Sequence, residues 1–290
     1  MSGINSREKI DWFFVAATLS SYTLGFIFAN RVNKTVPYLV TLAGIILILF
    51  FYLINWLISQ LSTEPFAGRM GAPGRIYQRN NILYGTIFVL SFVGVGAVYV
   101  LLKYHSLQGQ AMIWLLGLIF CQFLLLSKPI SYTTTPYHWL LKSLIIAPFG
   151  LFFGCTLQGF FPSPAMINLG ISVFLGAGSA LIVLMFKEYA SDLNRKRRSF
   201  LITVTWEKGL LLHHFLYVAS LTSLILFAII SRGTNIYWPA IAWQVFGLYE
   251  IYLLEQLARG IRPNYPLMDA LAIFRVLGTL YLLIYALLIH

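Results

Sequence analysis

The chain has 290 residues, 59% of them hydrophobic and only 10% charged, with a net charge of +11 and a mean hydropathy of +0.79. These values lie far outside the range of a soluble domain and describe an integral membrane protein. The excess of bases is therefore weighed first against the basic loops that membrane proteins place on their cytoplasmic side, not against nucleic acid.

In chain order, apolar runs occur near 12–30, 36–60, 81–103, 109–127, 137–159, 165–187, 210–231, 235–258 and 267–289. Each is about 20 residues, long enough to cross a hydrocarbon core of roughly 30 Å as a helix. The runs are continuously apolar and do not alternate, so they predict helices and not a barrel. The first is too long for a removed signal peptide and lacks a small-residue cleavage site. The expectation is an all-α bundle of nine transmembrane helices in a plasma, inner or organellar membrane. Cys121 and Cys155 both fall within runs, where they read as small buried hydrophobes and imply no disulfide or metal framework.

With the N-terminus inside, the segments of that side carry fourteen bases, among them Arg69, Arg75, Arg195 and Arg198. The opposite side carries four, and Lys142 and Arg275 fall within runs. An N-in, C-out topology follows. Most connections are short, but the inner segments 61–80 and 188–209 are longer and recur four helices apart, as a duplicated four-helix unit would place them. They read as cytoplasmic caps on a single domain. Both are basic, which suits either an anionic ligand held between them or loops lying on acidic lipid headgroups.

The second cap holds "KEYASDLNRKRRSF", in which Glu188 and Asp192 are one helical turn apart on one face. Two such carboxylates can share a Mg²⁺ ion, which keeps several waters and takes one or two carboxylates plus phosphate oxygens. The bases that follow suit the remaining phosphate oxygens. An ordinary helix end with local charge pairing is the plainer reading.

The Glu188-x-x-x-Asp192 pair, followed by Arg198-Ser199-Phe200, resembles the second aspartate-rich motif of the UbiA superfamily of intramembrane prenyltransferases. "EPFAGRMGAPGRI" (64–76) looks like that family's segment after helix 2, and "YTTTPYHWLLKSL" (132–144) like its lead into helix 5, ending here in Leu141-Lys142. Nine helices with long loops after the second and sixth is also the family's topology. The first motif departs from the pattern: the nearest match is Asn55-x-x-x-Ser59-x-x-x-Thr63, with both aspartates absent and Glu64 beside it.

The resemblance implies a nine-helix bundle with a central cavity open to the cytoplasm, and Mg²⁺-dependent transfer of an isoprenyl group from a prenyl diphosphate to a membrane-soluble aromatic or lipid acceptor. Glu188 and Asp192 would hold the metal and, with Lys142, carry the chemistry. Asn55, Glu64, Arg69, Arg75, Arg195 and Arg198 would bind the diphosphate. The alternative is a non-catalytic member that binds lipid, quinone or pigment as a subunit of a larger membrane complex.

Charges inside spans are functional until shown otherwise. Glu250 and Arg275 lie at similar depth in neighbouring antiparallel runs, which predicts an ion pair between them. Glu255 and Arg259, at i, i+4, predict a surface pair. His213 and His214 point about 100° apart and cannot grip one ion together; either alone suits an axial pigment contact. His138, one turn before Lys142, is a weaker substrate contact. No Walker loop, G-x-S-x-G or Cys/His cluster occurs, and no run is visibly broken at mid-membrane, which disfavours nucleotide hydrolysis, esterase chemistry, structural zinc and transport.

Overall fold

The protein was analysed as a computed structural model that describes residues 11–32, 38–62, 73–126, 137–194, 199–231, 234–261 and 263–289. These form α1 (Trp12–Val32), α2 (Tyr38–Ser62), α3 (Pro73–Lys103), α4 (Gly109–Leu126), α5 (His138–Leu144), a π turn (Ile145–Phe149), α6 (Gly150–Thr156) and α7 (Pro164–Asn194). There follow α8 (Phe200–Val204), α9 (Trp206–Ile230), α10 (Thr234–Trp243), α11 (Phe246–Ala258) and α12 (Tyr265–Ile289), with no strand among the described residues.

Among the described residues, seven helical segments are long and apolar enough to cross a membrane, which supports a multi-pass membrane protein. They match seven of the nine runs expected from the sequence, and the other two runs differ from continuous spans of that length. The run near 109–127 is a shorter apolar helix, and the run near 235–258 is divided into α10 and α11. The division is a tight 3₁₀-type turn, in which Gln244 and Val245 N–H groups reach the carbonyls of Ile241 and Ala242, three residues back. Pro239 within α10 and Gly247 in α11 flank it. The run near 137–159 is one segment whose middle widens into the π turn around Pro148, a residue with no N–H to donate to the helix.

Both expected caps are partly helical. Helix α2 reaches Ser62 and α3 begins at Pro73, while α7 runs to Asn194 and the short α8 fills 200–204 before α9 begins. At 31 residues α7 is about 46 Å long, so its last turns extend past a 30 Å hydrocarbon core.

The core forms around α7. Its longest contact is with α9, and it also meets α5, the π turn and α12; α1 packs on α6 and also meets α12, joining the first and last helices. Small residues set the closest approach. A Cβ on Gly25 would overlap the carbonyl oxygen of Leu151, and one on Gly154 that of Tyr22, so α1 and α6 touch backbone to backbone through a Gly150-x-x-x-Gly154 stripe. A second apolar cluster, including Tyr22, Leu47, Leu118 and Phe153, joins α1, α2, α4 and α6. Helix α3 packs on α2 and is otherwise largely exposed, as a lipid-facing helix is.

Candidate functional site

The starts of α1, α5, α9 and α12 and the ends of α2, α4, α7 and α11 share one end of the bundle, the charged end. Asp11 caps α1 there, accepting the Phe14 N–H on Oδ1 at 3.2 Å. Its Oδ2 accepts from the Lys142 ammonium at 2.5 Å. Lys142 is buried, with its Nζ 5.4 Å from the centre of the Phe14 ring. One ion pair thus fastens α5 to the start of α1.

Beside it, Thr18 donates to the Phe14 carbonyl, which leaves its oxygen to accept from the Tyr52 hydroxyl at 2.8 Å. Asn55 donates to Gln122 Oε1, joining α2 to α4. Gln122 Nε2 and Trp139 Nε1 are buried donors with no hydrogen-bond partner among the described residues.

Glu188 and Asp192 lie on the unbroken end of α7, so the expected one-turn spacing holds, but their settings differ. Glu188 is exposed, whereas Asp192 is 8% exposed and has no hydrogen bond or ion pair among the described residues. The two acids thus share one stretch of α7 but not one environment. Two metals do not fit. The first motif offers Ser59 and Thr63 where carboxylates would be needed, and no group of three or more His, Cys, Asp or Glu is placed to hold a metal among the described residues. Glu64, Arg69, Arg195 and Arg198 lie outside the described residues, and of Arg75 only its place in the first turn of α3 is described.

A second polar cluster occupies the membrane interior. Arg275 is fully buried; its Nε donates to Glu250 Oε1 at 2.7 Å, Nη1 to Gln244 Oε1 at 3.2 Å and Nη2 to Ser179 Oγ at 2.7 Å. Its guanidinium carbon is 5.3 Å from the centre of the Tyr217 ring. Gln244 Nε2 donates to Thr279 Oγ1 at 3.0 Å, and the Tyr217 hydroxyl donates to the Gln244 carbonyl at 2.7 Å. Glu250 Oε2 lies 3.4 Å from His213 Nε2. The expected Glu250–Arg275 pair is present, and it ties α7, α9, the α10–α11 turn and α12 together. The Glu255–Arg259 pair is not formed: Arg259 is the C-cap of α11, already off helical geometry, and Glu255 instead lies 3.9 Å from His214 Nδ1.

Sequence reading passed over Asp11, Gln122 and Gln244. Asp11 carried a local signal, an acid directly before the first apolar run, but its pairing with Lys142 spans 131 residues. Gln244 had only its polarity inside an apolar run. No family model and no curated protein matches the chain.

Proposed function

We propose that the protein is a UbiA-like intramembrane prenyltransferase, a nine-helix bundle with its charged end at the cytoplasm, that takes a prenyl diphosphate and a membrane-soluble acceptor. The observation that carries this reading is Asp192, an acid 8% exposed and without a described partner, one turn from Glu188 and on the same end as the buried ammonium of Lys142. Asp192, with Glu188, would hold one Mg²⁺, which when bound supplies the positive charge that a departing diphosphate requires. Lys142, positioned by Asp11 and Phe14, adds a fixed cation beside the leaving group. Asn55 and Gln122 orient the headgroup through amide donors, and the bases at 195–198 clamp its outer oxygens.

A second reading is a non-catalytic relative that holds lipid, quinone or pigment within a membrane complex. Its support is that Lys142 is already paired with Asp11 and that the first motif lacks its carboxylates. The test is titration of the purified protein with geranylgeranyl diphosphate, with and without Mg²⁺. The enzyme reading expects Mg²⁺-dependent binding, weakened at least tenfold by Asp192→Asn and by Lys142→Met. Undetectable binding, or binding indifferent to Asp192→Asn, overturns it; stoichiometric co-purification of pigment, quinone or partner subunits then supports the second.

A further inference from the structure

The interior cluster leaves two ring nitrogens over. His213 Nδ1 and His214 Nε2 are buried and have no hydrogen-bond partner among the described residues. The two rings meet edge to face with centroids 5.5 Å apart. Toward the charged end, His214 Nδ1 lies 3.9 Å from Glu255, whose side chain is 45% exposed. Toward the interior, His213 Nε2 lies 3.4 Å from Glu250 Oε2, whose other oxygen binds Arg275. Glu255, His214, His213 and Glu250 thus form a file of proton-carrying groups from the charged end into the membrane.

We infer that His213 is a proton-binding site inside the membrane, loaded from the charged end through Glu255 and His214 and closed on the far side by Arg275. A neutral His213 that donates from Nε2 to Glu250 leaves the Nδ1 lone pair unused in a dry site. One ordered water between Nδ1 of His213 and Nε2 of His214 satisfies both orphaned atoms and gives the proton its last hop. A hydronium at the membrane edge gives its proton to the Glu255 carboxylate, which passes it to His214 Nδ1; His214 gives up its Nε2 proton to that water, and the water gives one of its own to His213 Nδ1. His214 is left as its other tautomer, the hydronium is left as water, and the cluster gains one positive charge.

The groups that face His213 allow this. Helix α11 presents Glu250 and Glu255, α12 presents Arg275, and α9 itself presents His214 and Tyr217. Level with His213, α7 presents the hydroxyl of Ser179, with Lys187 two turns nearer the charged end. Helix α8 has no ionisable side chain. The Glu250 carboxylate can therefore sit between two cations, as it does not while His213 is neutral.

Beyond Arg275 the path ends. A fixed guanidinium repels a travelling proton, and the hydroxyls of Ser172 and Ser220 each donate to the other's backbone carbonyl, which leaves neither hydrogen free to pass one on. The site exchanges protons with one compartment and conducts none across.

The test is solid-state NMR of protein labelled with ring-¹⁵N histidine in lipid nanodiscs. The chain has five histidines, His105, His138, His213, His214 and His290. The His213 signals are assigned by their loss in His213→Asn or, should that variant not fold, as the pair that survives single replacement of each of the other four. His213 is expected to pass from one neutral tautomer to imidazolium as the pH is lowered over about 7 to 4. In His214→Phe its proton exchange is expected to slow at least tenfold. A His213 that stays neutral throughout that range, or whose exchange rate is unchanged in His214→Phe, overturns the inference.

Discussion

The Glu250–Arg275 pair makes a quantitative prediction that separates an intramembrane ion pair from an ordinary hydrogen bond. Arg275→Met keeps most of the side-chain volume but strands the Glu250 carboxylate, fully buried, with only His213 at 3.4 Å for company. Glu250→Gln keeps the shape but strands the guanidinium, which retains Gln244 and Ser179 without a counter-charge. Breaking one side of a buried pair costs about 3–5 kcal/mol, because the survivor is an uncompensated charge. In the double variant both charges are gone, and what remains is lost packing and two or three neutral hydrogen bonds at about 1 kcal/mol each. The double loss should therefore equal roughly one single loss, which makes the coupling about 3 kcal/mol. Hydrogen bonds between membrane helices couple by about 0.6 kcal/mol on average and reach roughly 1.7 at most. The assay is reversible unfolding in mixed micelles at fixed lipid content, comparing wild type, both single variants and the double. Losses that add to within about 0.5 kcal/mol would refute the argument.

Two further outcomes follow from backbone geometry. Gly25→Ala and Gly154→Ala press a Cβ into the carbonyl oxygens of Leu151 and Tyr22, backbone that cannot rotate aside, so each should cost about 2–4 kcal/mol as α1 and α6 separate. Gly85→Ala and Gly96→Ala on α3, where nothing lies within 4 Å, should be neutral or stabilise by up to about 1 kcal/mol; equal tolerance at all four positions in the same unfolding assay contradicts this packing. Thr205, between α8 and α9, has φ 77° and ψ 147°, a conformation essentially reserved for glycine that costs about 1–3 kcal/mol in other residues. Thr205→Gly should therefore raise the thermal midpoint, and a lowered midpoint would mean that the hydroxyl or methyl of Thr205 contributes more than the strain costs.

What the sequence made legible was set by how local the cause is. Helical spans come from runs of apolar residues, and the run boundaries agree with the helices to within a few residues at α1, α9 and α12. The Glu250–Arg275 pair was legible because depth along a helix is a count of residues. The turn at Gln244–Val245 was not, because its neighbours Ala242, Trp243 and Phe246 are as apolar as any span and the turn is held by groups far along the chain. Tyr217 takes the Gln244 carbonyl, and Arg275 and Thr279 take its side chain. The one-turn spacing of Glu188 and Asp192 was legible from helical period, but not that one is buried and the other exposed. That difference is set by tertiary packing on α7, which meets α5, α8 and α9 among others, and no local pattern encodes it.

The broken α10–α11 segment invites comparison with transporters, where an interrupted helix turns unwound carbonyls and a half-helix end toward a substrate at mid-membrane. Here those groups are already in use. The Gln244 carbonyl accepts from Tyr217 and from the Gly247 N–H, and its amide is divided between Arg275 and Thr279. Arg275 is charge-balanced by Glu250 and fills the space a substrate would need. An interior so fully paired specifies the arrangement of α7, α9, α11 and α12 and leaves a ring nitrogen to spare on each of His213 and His214. At the charged end the accounting is reversed: Asp192 has no described partner, and two buried donors, Gln122 Nε2 and Trp139 Nε1, have none either. Unmet acceptors and donors of that kind are what a ligand with a metal and anionic oxygens would satisfy. The interior cluster thus acts as a strut, and the proposed function puts the chemistry at the charged end. On the proposed function, Glu250→Gln with Arg275→Met, which costs no more stability than either change alone, should bind prenyl diphosphate as the wild type does, while Asp192→Asn, folded throughout, should not; a double variant that folds but has lost diphosphate binding would place the ligand in the interior after all.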